Sequence, residues 1–145
     1  MAKSEILIDA SPEVVFAYLA DLSRHGEWAT HPGLVIEPEA DGPVGVGSRF
    51  VSHGHQFGQE MTDVLTVTGY STPRELSFES AGKGGVWRHS FELTPAVPGT
   101  RLVKRMDGVK GPLAVKLLTP LISLGLSKRL YKDLERIKAR IKTTT

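Results

Sequence analysis

Along residues 2–10 apolar and polar side chains alternate, with Ile6 and Ile8 on one face and Glu5, Leu7 and Asp9 on the other. A period of two is that of a β-strand, and this first strand is expected near a sheet edge. At Ser11 the period changes. Ser11 suits a helix N-cap, Pro12 the first helical position and Glu13 the positive helix start. Val15, Phe16, Leu19 and Leu22 form the buried stripe of that helix. Gly26 and Pro32 interrupt it, and a second short helix is predicted around 23–28. From Gly33 the period changes; 34–39 is short and mixed, and turn residues recur about every 8–12 positions, the mark of an antiparallel meander. Strands are predicted over 34–39, 48–57, 59–70, 75–81, 86–94 and 100–108. Gly58 is the pivot of one hairpin, and Gly82, Gly84 and Gly85 form the loop of another.

The last third, 113–141, is of another kind. Leu126, Leu130, Leu134, Ile137 and Ile141 recur at spacings of three and four, one face of an α-helix. Lys128, Arg129, Lys132, Asp133, Glu135, Arg136, Lys138 and Arg140 fall mostly on the other faces and are expected in solvent. The preceding half, with Leu113, Leu117, Leu118, Leu121, Ile122, Leu124 and Leu126, is apolar nearly all round. Such a segment must be covered, line a cavity, or meet a partner or membrane. Pro120 is expected to kink or interrupt the helix, which suits a lid over a cavity. The rival reading is a dimer or lipid-surface contact. The order of one strand, two short helices, six strands and one long helix predicts an α+β fold. A curled seven-stranded antiparallel sheet wraps a long C-terminal helix, with space between the two.

Composition narrows the chemistry. The 145 residues fit one domain, 1–145. There is no cysteine, which excludes disulfides, thiolate metal sites and a Cys nucleophile, and suits a reducing cytoplasm. Lys plus Arg is 18 against 16 Asp plus Glu, a formal +2. So small an excess, much of it on the last helix, argues against nucleic acid. The first residues lack the apolar core of a signal peptide. The apolar run 113–126 is shorter than the roughly 20 residues of a membrane span. The expectation is a cytoplasmic protein without stable membrane insertion, monomeric or homodimeric. Gly42–Gly47 lacks the Gly-Lys-Ser/Thr ending of a phosphate loop, and no Gly-x-Ser-x-Gly elbow is present. No cofactor is expected.

Strand alternation nominates the side chains facing the interior. If Phe91 and Leu93 face inward, so do Trp87 and His89; Leu102 inward brings Lys104 and Met106; Leu65 and Val67 bring Met61 and Asp63. Leu76, Phe78 and Ser80 share a face. A bulge would reverse any of these assignments. Three ionisable groups therefore stand out, His89, Asp63 and Lys104. Either they form a polar cluster that orients a ligand, with His89 as general acid or base, or Asp63 and Lys104 lie near strand ends, reach water and pair on the surface, leaving His89 a satisfied histidine. Trp28 and Trp87 serve equally as cavity-mouth contacts or core residues. His25 and His31 read as exposed loop histidines. His53 and His55 share one face of a strand, outward if Phe50 is inward, and no metal site is expected there.

Several motifs in order resemble the START/Bet v 1-like (SRPBCC) superfamily, most closely its polyketide cyclase/dehydrase-like branch. They are Ala10-Ser11-Pro12-Glu13-x-Val15-Phe16-x-x-Leu19-x-Asp21 with Trp28 following, and Gly45-x-Gly47-Ser48-Arg49-Phe50. Next come Tyr70-x-x-Pro73-x-x-Leu76-x-Phe78, Phe91-x-Leu93-x-Pro95, Gly99-Thr100-x-Leu102 and the long last helix. The chain lacks the Tyr-Pro-x-Phe-x-Pro-Trp element of the coenzyme Q-binding branch, having Arg24-His25-Gly26-Glu27-Trp28 instead. The resemblance implies a helix-grip fold with an internal cavity for a hydrophobic small molecule (a polyketide, an aromatic compound or a lipid). The residues expected to contact it are Phe50, Met61, Leu65, Leu76, Phe78, Trp87, His89, Phe91, Lys104 and Met106 on the strands, with Trp28 and, on the apolar half of the last helix, Leu117 and Leu121. A carrier, a cyclase or dehydratase using His89, Asp63 and Lys104, and a partner-binding protein using the 113–126 surface are the three functions this pattern admits.

Overall fold

The computed structural model describes residues 2–29, 33–56, 58–110 and 119–144, with backbone only at 56, 110, 119–124, 143 and 144. In chain order it contains β1 (Ala2–Ile8), α1 (Pro12–Ala20), a 3-10 helix (Leu22–Glu27), β2 (Val35–Pro38), β3 (Arg49–Gln56), β4 (Gln59–Ser71), β5 (Glu75–Gly82), β6 (Gly85–Ala96), β7 (Gly99–Lys110) and α2 (Thr119–Thr144). The seven strands form one antiparallel sheet in the order β1-β7-β6-β5-β4-β3-β2. Strands β2 to β7 are a meander of successive hairpins. β1 closes the sheet beyond β7 and is an edge strand, as its alternation predicts. This is the helix-grip arrangement, a curved sheet with the long helix and the short helices on its inner side.

Local chemistry explains the elements. Ser11 Oγ accepts the Val14 N–H at 3.3 Å, capping α1. Gly58 adopts φ 74° at the β3–β4 turn, a conformation that favours glycine. The link from β1 to α1 and the turn from β6 to β7 meet at one corner. Thr100 Oγ1 donates to the Ala10 carbonyl at 2.7 Å. Gly99, at φ 108°, lies so close that a Cβ there would come within 2.5 Å of the Ile8 carbonyl oxygen and 2.7 Å of the Ala10 backbone. Only glycine serves both the backbone angle and the approach.

Two bulges occur, and both leave the inner-face assignments intact. One lies between Val67 and Gly69 in β4, beyond Met61, Asp63, Leu65 and Val67. It re-phases the strand so that Tyr70 turns inward and its ring meets Phe16 edge-on at 5.3 Å. The other lies between Val86 and Trp87, before the run that carries Trp87, His89, Phe91 and Leu93.

The core is the stripe of α1 (Val15, Phe16, Leu19) and that of α2 (Leu134, Ile137, Ile141) against Leu76, Phe91, Leu93 and Leu102 of the sheet. Pro120 is the second residue of the described α2, in the first helical turn, where a missing N–H breaks no intrahelical bond. The expected kink therefore does not arise within the described helix. The apolar segment preceding it, with Leu113, Leu117 and Leu118, lies outside the described residues, and so do the side chains of Leu121, Ile122 and Leu124. Lid, core and interface readings of that segment gain no structural account.

Candidate functional site

The inner face of the sheet is not uniform along its strands. At one end the side chains are sealed in the core with the helices: Leu65 and Val67 on β4, Leu76 and Phe78 on β5, Phe91 (0% exposed) and Leu93 on β6, Leu102 on β7. Further along the same strands the inner side chains are half-buried: Met61 and Asp63, Ser80, Trp87 and His89, and Met106. Cross-strand register joins these into one patch, since Ser80 pairs with Trp87, Phe78 with His89, and His89 with Met106.

Glycines let larger side chains lie close against the sheet at this end. Gly54 pairs with Met61, and Gly108 with Trp87. The indole of Trp87 lies alongside Gly108, 3.4 Å from the position a Cβ would take. A Cβ on Gly82 would overlap the Asp63 carboxylate. The patch thus carries half-buried aromatic and polar side chains opposite positions without side chains.

Polar groups are placed around it. His89 Nε2 and Ser80 Oγ are 3.1 Å apart, and the imidazole stacks on Phe78 at 4.7 Å with an 11° interplanar angle. Trp87 Nε1 donates to the Gly84 carbonyl at 3.1 Å, so the indole is tethered to the β5–β6 turn.

At the boundary between the sealed and half-open ends stands Lys104, 5% exposed. Its ammonium is 4.0 Å from Asp133 Oδ2 on α2, 4.7 Å from the Trp28 ring centre and 5.2 Å from that of Phe91. Burial lowers its pKa to about 8, against the attraction of Asp133. The aromatic faces are a cation–π seat for the charge. The reading of Lys104 as a strand-end group reaching water is corrected: β7 continues to Lys110, and Lys104 lies mid-strand under α2.

Two further corrections concern residues expected in solvent. His25 is 2% exposed. Its Nε2–H donates to the Leu19 carbonyl at 2.7 Å, and its ring lies 4.8 Å from Trp28 and 5.9 Å from Phe78. Burial drives its pKa down to about 4, with the Lys104 charge adding to the fall and the Leu19 contact opposing it. Asp133 is 7% exposed rather than solvated. Both were legible in spacing. Leu22, His25 and Trp28 recur every three residues, the period of a 3-10 helix. Asp133 stands three residues after Leu130 and four before Ile137, on the buried stripe of α2.

The remaining sequence candidates fall into place by side. Trp28 (3% exposed) and Phe50 belong to the core, and Trp28 Nε1 has no hydrogen-bond partner among the described residues. His53 and His55 lie on the outer face, His53 Nδ1 at 3.3 Å from Thr62 Oγ1. Asp63 faces the other side of the sheet, so the three do not converge, and the described residues hold no group of three or more potential metal ligands. Leu117 and Leu121 lie outside the described side chains, and His31 outside the described residues. Among the described residues no helix is long and apolar enough to cross a membrane.

A family model described as polyketide cyclase/dehydrase and lipid transport matches residues 2–142. No curated protein matches the sequence. Among solved structures, TTHA0849 from Thermus thermophilus superposes with a TM-score of 0.78 at 18% identity, over 99% of this chain and 98% of that one. Protein MLL2253 from Mesorhizobium loti gives 0.72 at 19% identity, over 99% and 98%. DynU16, from the dynemicin biosynthetic locus, gives 0.67 at 14% identity, and this chain covers 99% of itself but 48% of that longer protein.

Proposed function

Because the chain belongs to the polyketide cyclase/dehydrase and lipid transport family, we propose that it binds an apolar small molecule on the half-open end of its concave face. A polyketide, an aromatic compound or a lipid fits that description. The observation that carries the reading is the change along each strand from sealed apolar side chains to half-buried Met61, Trp87, His89 and Met106 beside Gly54, Gly82 and Gly108. Flat rings and a flexible thioether give contact area to an apolar body. Ser80, His89 and Asp63 give it a few polar contacts that set orientation.

Native mass spectrometry of protein purified without refolding tests this. A co-purifying apolar molecule, or saturable uptake of an added one, is the expected result. Met106→Trp, which fills the opening, should weaken uptake at least tenfold without lowering the melting temperature by more than a few degrees. Uptake unchanged in that variant would place the ligand elsewhere.

A second reading, an enzyme of the cyclase/dehydratase type, is favoured by one feature. His89, hydrogen-bonded to Ser80 and half-buried at the opening, has the surroundings of a proton-transfer group. Under that reading His89→Ala abolishes turnover of a bound substrate while its binding survives. Under the carrier reading the same substitution only shifts affinity.

A further inference from the structure

Lys104 and Trp28 present two hydrogen-bond donors at one place without acceptors to match. The Lys104 ammonium has three donors, and its carboxylate neighbour Asp133 is 4.0 Å away, beyond hydrogen-bond distance. That carboxylate, Asp133, is also engaged by Arg136 Nη1 at 3.3 Å. The Trp28 indole N–H, a donor only, is buried and has no acceptor among the described residues. Buried donors are nearly always met by an acceptor. Lys104 stands 4.7 Å above the ring that carries this N–H. Lys104 stands at the boundary of the half-open end, and Trp28 lies beside its ammonium at the edge of the core. Along β7 the inner side chains run from sealed Leu102 through Lys104 to half-buried Met106.

The other charged or titratable groups facing Lys104 do not supply the missing acceptor. Arg129 on α2 adds positive charge. His25, on the 3-10 helix, uses its Nε2–H on Leu19. Two donors, one of them charged, in apolar surroundings match the two oxygens of a carboxylate.

We infer that the ligand is an apolar molecule bearing a carboxylate, its oxygens received by the Lys104 ammonium and the Trp28 indole N–H, its apolar body lying along Trp87, His89 and Met106. This rests on the concave-face binding reading above and names the ligand class for it. The carboxylate completes the coordination that Asp133 provides in part.

The test compares acids with their neutral primary amides by titration calorimetry, in one alkyl pair (dodecanoic acid and dodecanamide) and one aryl pair (1-naphthoic acid and 1-naphthamide). In the intact protein the acid of at least one pair should bind ten times or more tighter than its amide. In Lys104→Met the acid should fall to the level of the amide. In Trp28→Phe, which keeps a ring but removes the N–H, the preference should narrow about threefold or more. Circular dichroism melting establishes that each variant is folded, and Trp28→Phe decides alone if Lys104→Met is not. Equal binding of acid and amide by the intact protein overturns the inference and leaves the concave-face reading standing. A preference that survives in the folded variants overturns it as well. Absence of binding in both series overturns the concave-face reading and this inference with it.

Discussion

A histidine held at about 4 and a lysine at about 8 in the folded chain make stability depend on pH at single residues. His25 is neutral when buried and ionises with an ordinary pKa near 6.5 when the chain unfolds. Its folded value is the lower one, so between these values the unfolded state holds the extra proton. The stability from neutral His25 is complete above about pH 6.5 and is lost as pH falls toward 4, by about 3 kcal/mol in all. Urea unfolding at a series of pH values from 7 to 4 should show this loss beyond that of a His25→Gln variant, whose side chain donates to Leu19 without titrating. Equal slopes for the two proteins would mean that His25 is solvated when the chain is folded. The placement of His25 had a sequence signal in the three-residue repeat Leu22, His25, Trp28. The loop glycine and proline around it pointed the other way, toward exposure, because an interrupted helix and an irregular loop share those residues.

At the level of elements, α2 is held on the sheet by its apolar stripe and by a buried ion pair, Asp133 with Lys104 of β7. Removing one partner leaves a charge without compensation in a dry site, whereas replacing both removes the desolvation penalty with the attraction. Asp133→Ala is expected to destabilise the fold by about 3 kcal/mol in urea, and Lys104→Met with Asp133→Leu to come within about 1 kcal/mol of the original. An Asp133→Ala protein as stable as the original would show that the pair contributes nothing to docking the helix. The corner joining β1, α1 and the β6–β7 turn is a second such junction. Gly99→Ala meets both a positive φ and two backbone oxygens there, and backbone does not yield as a side chain does. The expected loss is about 3 kcal/mol or more, read as a lowered melting temperature. Gly108→Ala, whose Cβ would sit 3.4 Å from the Trp87 ring, should change stability by less than about 1 kcal/mol.

Across the whole molecule the sheet has two jobs on one face. Its sealed end, with Phe91 and Leu102 under the helices, supplies the burial that stabilises the fold. Its other end keeps half-buried aromatic and polar side chains. Such a division predicts that substitutions at the two ends separate stability from binding. Leu102→Ala should lower stability by about 2–5 kcal/mol. Trp87→Ala should weaken uptake of an apolar ligand while moving the melting temperature much less. Parallel melting and binding curves for both variants check this. Loss of stability at Trp87 equal to that at Leu102 would mean that the half-open end is core.

What the sequence determined by itself follows from period and capping. Alternation by two marked the first strand, and turn residues about every 8–12 positions marked the other six. The Ser11-Pro12-Glu13 start placed α1, and spacings of three and four placed the stripe of α2. Inner and outer faces were legible because a strand alternates strictly and the two bulges fall outside the runs from Met61 to Val67 and from Trp87 to Leu93. Tertiary structure decided which inner residues are sealed and which are open, since that depends on where α1 and α2 cross the sheet. It also decided that Lys104 meets Asp133 and the rings of Trp28 and Phe91. Those four residues come from β7, α2, the segment after the 3-10 helix, and β6. No local pattern carries a distance between elements so far apart in the chain; only packing of the layers brings their side chains together.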